Sequence, residues 1–206
     1  MSSNNPVDES VKSRILISAK KEFFQKGFDG ARMQEIADKA GINKAMLHYY
    51  FINKENLFRE IFLEGFKNLT PRLIEIIQSE LPFFDKIRKL MFAHIDLLSK
   101  NPDLPLFINS ELAKGNLKIK EIFLHSIQNS AFFELAKLIE IEVREKRIKP
   151  IEPLNLIVNI LAMNVFPFIS KNILTLVLPL DPFQYEIMIE KRKIEAAEFI
   201  INAIKI

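Results

Sequence analysis

The sequence predicts an all-α protein: an N-terminal three-helix domain containing a helix-turn-helix, then a larger helical domain, about nine helices in all. Apolar residues make up 49% of the 206, glycine occurs only five times, and no stretch alternates apolar and polar residues with period two. Instead Val11, Ile15, Ala19 and Phe23 recur every four residues, on one face of a first helix from about Ser10 to Lys26. Gly27 can end that helix. A second helix covers about Met33 to Lys39, with Ile36 and Ala37 facing inward. Gly41 then bends the chain where a positive φ costs glycine little. Asn43 is a good N-cap for a third helix, about Lys44 to Phe51, and Asn53 for a fourth that begins at Lys54 or Glu55.

Prolines divide the remainder. The fourth helix reaches Thr70-Pro71, is expected to kink there, and continues toward Ser79. Leu81-Pro82 opens the next segment, and Asn101-Pro102 with Leu104-Pro105 punctuates the one after. A long helix from about Lys118 to Lys146 ends before Pro150, another covers Pro153 to Ser170, and Asp181-Pro182 opens the last, through Ile204. The stretch from Pro153 to Ser170 carries no charge and nearly has the length of a membrane span. Asn155, Asn159, Asn164 and Pro167 are costly in lipid, so a helix buried on most faces is expected, with no membrane role.

Charge points to a partner. Residues 1–54 carry nine Lys/Arg against six Asp/Glu, while residues 55–206 carry twenty of each. The whole positive excess therefore lies in the helix-turn-helix segment, where phosphate would be met. With no cysteine and a polar N-terminus, a cytoplasmic location is expected. His94 and His125 have no histidine or cysteine partner at helical spacing, so no metal site is expected. No Gly-rich phosphate loop, GxSxG or HExxH occurs, which argues against an enzyme and against a cofactor.

Residues 27–58 resemble the N-terminal DNA-binding module of the TetR family of bacterial transcriptional regulators. The matching letters are Gly27-Phe28, Ile36-Ala37, Ala40-Gly41-Ile42, Leu47, Tyr50-Phe51, Lys54-Glu55 and Leu57. The resemblance implies a DNA-binding domain over residues 1–53 and an effector-binding, dimerisation domain over 54–206. It also implies a homodimeric repressor that binds a palindromic operator in double-stranded DNA and is released by a small hydrophobic effector. The alternative is a DNA-binding regulator or chromosome-associated factor controlled by a protein partner, with no small-molecule effector.

In a helix-turn-helix, the first residues of the second helix read base edges in the major groove. Here these are Asn43, Lys44, Ala45 and Met46, with His48 and Tyr49 one turn on. By resemblance, His48 stands where the family usually has a phosphate-contacting tyrosine, and Lys54 where a lysine meets the backbone. Arg32 lies near the start of the second helix, where the family often has a capping Ser or Thr. It offers charge to phosphate but cannot cap. Two apolar stripes, Leu154, Ile157, Leu161, Val165 and Ile187, Ile194, Ala197, Ile201, must be buried somewhere; the resemblance assigns them to a dimer interface. It likewise places an effector pocket among Phe62, Phe66, Phe107 and Phe133, with His94, His125, Asn129 and Asn164 as polar groups. Phenylalanines at helical spacing also read as plain core.

Overall fold

A computed structural model describes residues 6–67, 69–127 and 131–206, except the side chains of 6–9, 64–67, 123 and 125–127. Among the described residues every regular element is helical. There are twelve: α1 (Pro6–Gly30), α2 (Met33–Ala40), α3 (Lys44–Phe51), α4 (Lys54–Lys67), α5 (Leu69–Gln78), α6 (Phe83–Lys100), α7 (Leu104–Ala113), α8 (Leu117–Ile127), α9 (Ala131–Arg144), α10 (Pro153–Ile169), α11 (Lys171–Val177) and α12 (Pro182–Ile204). Three more helices than expected arise because breaks fall inside two stretches read as continuous, and because α11 forms where no helix was expected. Pro71 sits in the first turn of α5, where a missing N–H costs nothing, so it helps to start a helix rather than kink one. The helix expected over 118–146 is divided between α8 and α9. Ser170 ends α10 and is followed directly by α11.

Local chemistry explains the ends that matter. Gly41 adopts φ 68°, ψ 38° after α2, and its N–H bonds the Asp38 carbonyl while Ile42 N–H bonds that of Ala37. That paired arrangement closes a helix through a left-handed residue. Asn43 caps α3 by accepting from Met46 N–H at 2.7 Å, and Asn53 caps α4 through Asn56 N–H at 2.8 Å. Asp181 and Gln184 form a reciprocal capping box at the start of α12.

The helices gather into two compact units, residues 1–66 with 107–125, and residues 67–106 with 126–206. In the first unit Ile15, Ala19, Phe23, Ile36, Ala37, Leu47, Leu57, Phe58 and Phe62 form the interior. Phe58 stands edge-on to both Phe23 and Phe28 at 5.3 Å, and lies 5.5 Å from Phe107. In the second unit, Ile87, Met91, Leu135, Ile139, Leu156, Ile160, Ala197 and Ile201 anchor the main core. A smaller cluster joins Ile95, Leu98, Phe168, Tyr185 and Ile189. Among the described residues no single helix is long and apolar enough to cross a membrane; α10 and α11 pass that test only as a pair bent by 74°.

Candidate nucleic-acid interface

Helix α3 is eight residues long and two-faced. Leu47 and Phe51 are buried, whereas Asn43, Lys44, Ala45, Met46, His48 and Tyr49 are all exposed, Tyr49 at 81%. The Tyr49 ring stands edge-on to Tyr50 at 5.4 Å, which limits its directions. The Nδ1–H of His48 donates to the Ile52 carbonyl at 2.8 Å, so the outer nitrogen Nε2 remains available.

Two basic residues frame this helix differently. Arg32 is exposed at the N-cap position of α2 and makes no capping hydrogen bond, in keeping with its chemistry. Lys54 is half-buried: its Nζ donates to the carbonyls of Asp29 and Ala31, each at 3.2 Å, and lies 4.9 Å from the centre of the Phe28 ring. Two of its three donors thus close the turn between α1 and α2, leaving one over.

The support beneath this face was not legible in the sequence. Glu22 on α1 has no exposed side-chain surface and is paired with Lys26 at 2.7 Å and with Lys39 of α2. Burial alone would push its carboxyl up, but the bonds from Lys26 and Lys39 outweigh this and hold its pKa at about 2. Lys26 also reaches Glu35, so one cluster ties α1 to α2. From sequence, Glu22 reads as a solvated helix residue; only its four-residue spacing to Lys26 was a signal. A second tie involves α7. Gly27 interrupts α1 with φ 73°, ψ 172°, and a Cβ there would lie 2.9 Å from Oε1 of Glu111. Glu111 is buried, pairs with Lys114 at 2.7 Å and accepts from Asn116 at 3.1 Å. Phe107 packs 5.1 Å from Phe24, and Lys118 of α8 pairs with Glu55 of α4.

The residues expected to form an effector pocket divide into groups. Phe62 and Phe107 belong to the aromatic interior of the first unit, both touching Phe58. His94 and Asn164 meet in the second unit, Asn164 Nδ2 donating to His94 Nδ1 at 3.3 Å. Burial pushes His94 down to a pKa of about 4. Phe133 lies at the surface with Lys137 over its ring. The side chains of Phe66 and His125, and Asn129 altogether, lie outside the described residues. Of the two apolar stripes, Ile157, Ala197 and Ile201 are buried in the chain's own core. Leu154 (64%) and Ile194 (66%) are exposed, as is Ile187, while Leu161 and Val165 are half-buried.

Residues 15–61 match the family described as bacterial regulatory proteins, tetR family. The chain is 29% identical over 143 residues to YhgD of Bacillus subtilis (strain 168), an uncharacterized HTH-type transcriptional regulator, covering 69% of this chain and 74% of that one. A crystallised variant of HlyIIR superimposes with a TM-score of 0.70 at 25% identity, covering 96% and 98% of the two chains. AibR, solved in complex with isovaleryl coenzyme A and operator DNA, superimposes with a TM-score of 0.65 at 18% identity, covering 89% and 96%.

Proposed function

Since this chain belongs to the tetR family of bacterial regulatory proteins, we propose that it works as a cytoplasmic homodimeric repressor on a palindromic operator, released by a small apolar effector. It is a DNA-binding transcriptional regulator, and the reading assigns it no catalysis. The observation that carries the DNA-binding geometry is the outer face of α3, where six consecutive or near-consecutive side chains are exposed over a buried Leu47. In this reading Asn43 fixes the first turn, and Lys44, Ala45 and Met46 meet base edges. Tyr49 reaches a flanking base or sugar. The exposed Arg32 and the spare donor of Lys54 meet phosphate, while Nε2 of His48, an acceptor because Nδ1 carries the proton, meets a donor such as a base amino group.

Dimerisation is supported by apolar surface that the chain itself leaves open. Leu154, Val158 and Phe166 on α10, with Ile187 and Ile194 on α12, are exposed although each helix is anchored on its other side. Effector control is supported by a protein of similar fold, AibR, solved in complex with isovaleryl coenzyme A and operator DNA.

Binding to a palindromic duplex should weaken with salt, each phosphate neutralised adding roughly 0.9 to the log–log slope. Lys44→Ala should change which operator variants are preferred, whereas Arg32→Ala should weaken all of them and flatten the slope. If both variants act alike on matched and scrambled duplexes, the base-reading role of α3 is wrong.

A further inference from the structure

Pro167 lies inside α10 and has no N–H, so the carbonyl of Met163, four residues earlier, loses its helical partner. Arg192 of α12 fills the gap, one Nη donating to Met163 O at 2.7 Å. The guanidinium gains nothing else: no carboxylate pairs with it among the described residues, and its Nε is buried without a partner. The neighbouring side chain on α10, Asn164, is 1% exposed, and its Oδ1 is likewise buried and unpartnered. Among the described residues its side chain bonds only His94 of α6. Other charges nearby are already matched: Lys193 holds Asp96 at 3.4 Å and Glu190 at 2.8 Å.

A half-buried cation with an unused donor, bonded to the carbonyl of the residue that precedes a buried amide with an unused acceptor, is costly to leave empty. We propose that the layer where α6, α10 and α12 meet is the head-group site for an amphiphile bearing one carboxylate, with Arg192 receiving the charge and the Asn164–His94 pair completing the hydrogen bonds. The Nε–H and free Nη of a guanidinium suit the two oxygens of a carboxylate. Asn164 and His94 adapt to it together. Turning the amide over lets Oδ1 accept from Nδ1–H of the other imidazole tautomer, and frees Nδ2–H to donate to the ligand. Phe168, Tyr185 and Ile189 are buried and packed together, so the apolar body must part this cluster, entering past Val165 and Met188, which are only partly buried. This rests on the effector-controlled reading above and sharpens it, since an uncharged hydrocarbon would leave Arg192 unmatched.

The test uses the full chain with octanoate and 1-octanol, calorimetry for binding and operator affinity for function. Octanoate should bind wild type roughly tenfold or more tightly than octanol, the worth of one charge-assisted hydrogen bond. Arg192→Met should erase that preference while octanol still binds; Arg192→Lys, which keeps a cation, should retain part of it and guards against a variant that misfolds. Equal binding of the two compounds by wild type, no binding of octanoate, or a preference that survives in Arg192→Met overturns the proposal, with an internal water as the occupant of these groups. If octanol alone loosens operator DNA, the head-group site falls and effector control stands. If neither compound nor a longer homologue alters operator affinity, effector control falls with it.

Discussion

The two units bury charge differently. In the first, the buried carboxylates meet ammonium groups that stand partly in water: Glu22 meets Lys26 and Lys39, and Glu111 meets Lys114. In the second, cations are taken inside, and not all of them meet an anion. Lys193 is paired with Asp96 and Glu190, but buried Lys86 donates to the carbonyl of Ile77 at 2.7 Å, and Arg192 to that of Met163. Glu142, buried there too, has Arg147. A paired interior fixes one arrangement, because removing either partner strands a charge. Cations held only by carbonyls keep their capacity for an anion. In the first unit each of these buried carboxylates has an ammonium beside it, although Oε1 of Glu22 meets Lys26 as an ion pair without a well-directed hydrogen bond; in the second, Lys86 and Arg192 are held, among the described residues, by carbonyls alone.

The most forceful way to break this contrast is to strip Glu22 of its cations. Lys26→Met with Lys39→Met should give the largest loss of stability at neutral pH among these changes, since it strands a buried charge, although both lysines stand partly in water and the loss is screened accordingly. Chemical denaturation of the variant would measure it. A loss near zero would mean that water reaches Glu22 and the contrast is wrong.

Acid should separate the units. His94 has a folded pKa near 4 against 6.5 in the open chain. Its contribution is therefore intact above 6.5 and lost as pH falls toward 4, with a slope approaching ~1.4 kcal/mol per pH unit. Glu22, at about 2 against 4.5, keeps its contribution down to 4.5 and loses it only between there and 2. Hydrogen exchange read on peptides from each unit should show α6 and α10 loosening before α1 and α2. The reverse order would contradict both shifts.

Smaller effects test the turns. Gly27→Ala combines a backbone conformation reserved for glycine with a collision against Glu111, and should cost about 1–3 kcal/mol. Gly41→Ala meets no neighbour within 4 Å, so it should show only the left-handed penalty of about 1–2 kcal/mol. Arg192→Met should alter stability least, within about 1 kcal/mol, since it removes one carbonyl bond and also an unmatched charge. A larger loss would mean that Arg192 is as firmly matched as Glu22.

Features set by neighbours in the chain were legible beforehand. The start and end of α3, the Asn43 cap, the bend at Gly41 and the opening of α12 at Asp181 all depend on residues within one turn, and all stand where the sequence places them. Features set by distant partners were not. The placement of Phe107 beside Phe24 and Phe58 depends on how α7 packs within the first unit. The role of Arg192 depends on Pro167, twenty-five residues earlier. That one had a signal, since a proline inside an apolar helix always frees a carbonyl that some donor must satisfy. The outer face of α10 was read only in part. An uncharged helix reads as buried on most faces, and the resemblance assigns only the stripe with Leu154 to a dimer, yet Val158 and Phe166 also face outward; composition cannot tell a core from a surface awaiting a partner.

The contact between Gly27 and Glu111 bears on how this chain can be recombined. Regulators built on a shared plan invite chimeras, in which one protein's DNA-reading segment is joined to another's sensor at a convenient break in sequence. Here the backbone at position 27 has room only because it is glycine, and a carboxylate eighty-four residues downstream occupies that room. A graft cut after α4 would carry Gly27 without Glu111, Phe24 without Phe107, and Glu55 without Lys118. The transplanted piece would include every residue proposed to face DNA and still lack part of its own interior. Portable specificity in this protein is therefore a discontinuous cassette, with α7 and α8 travelling alongside α1 to α4.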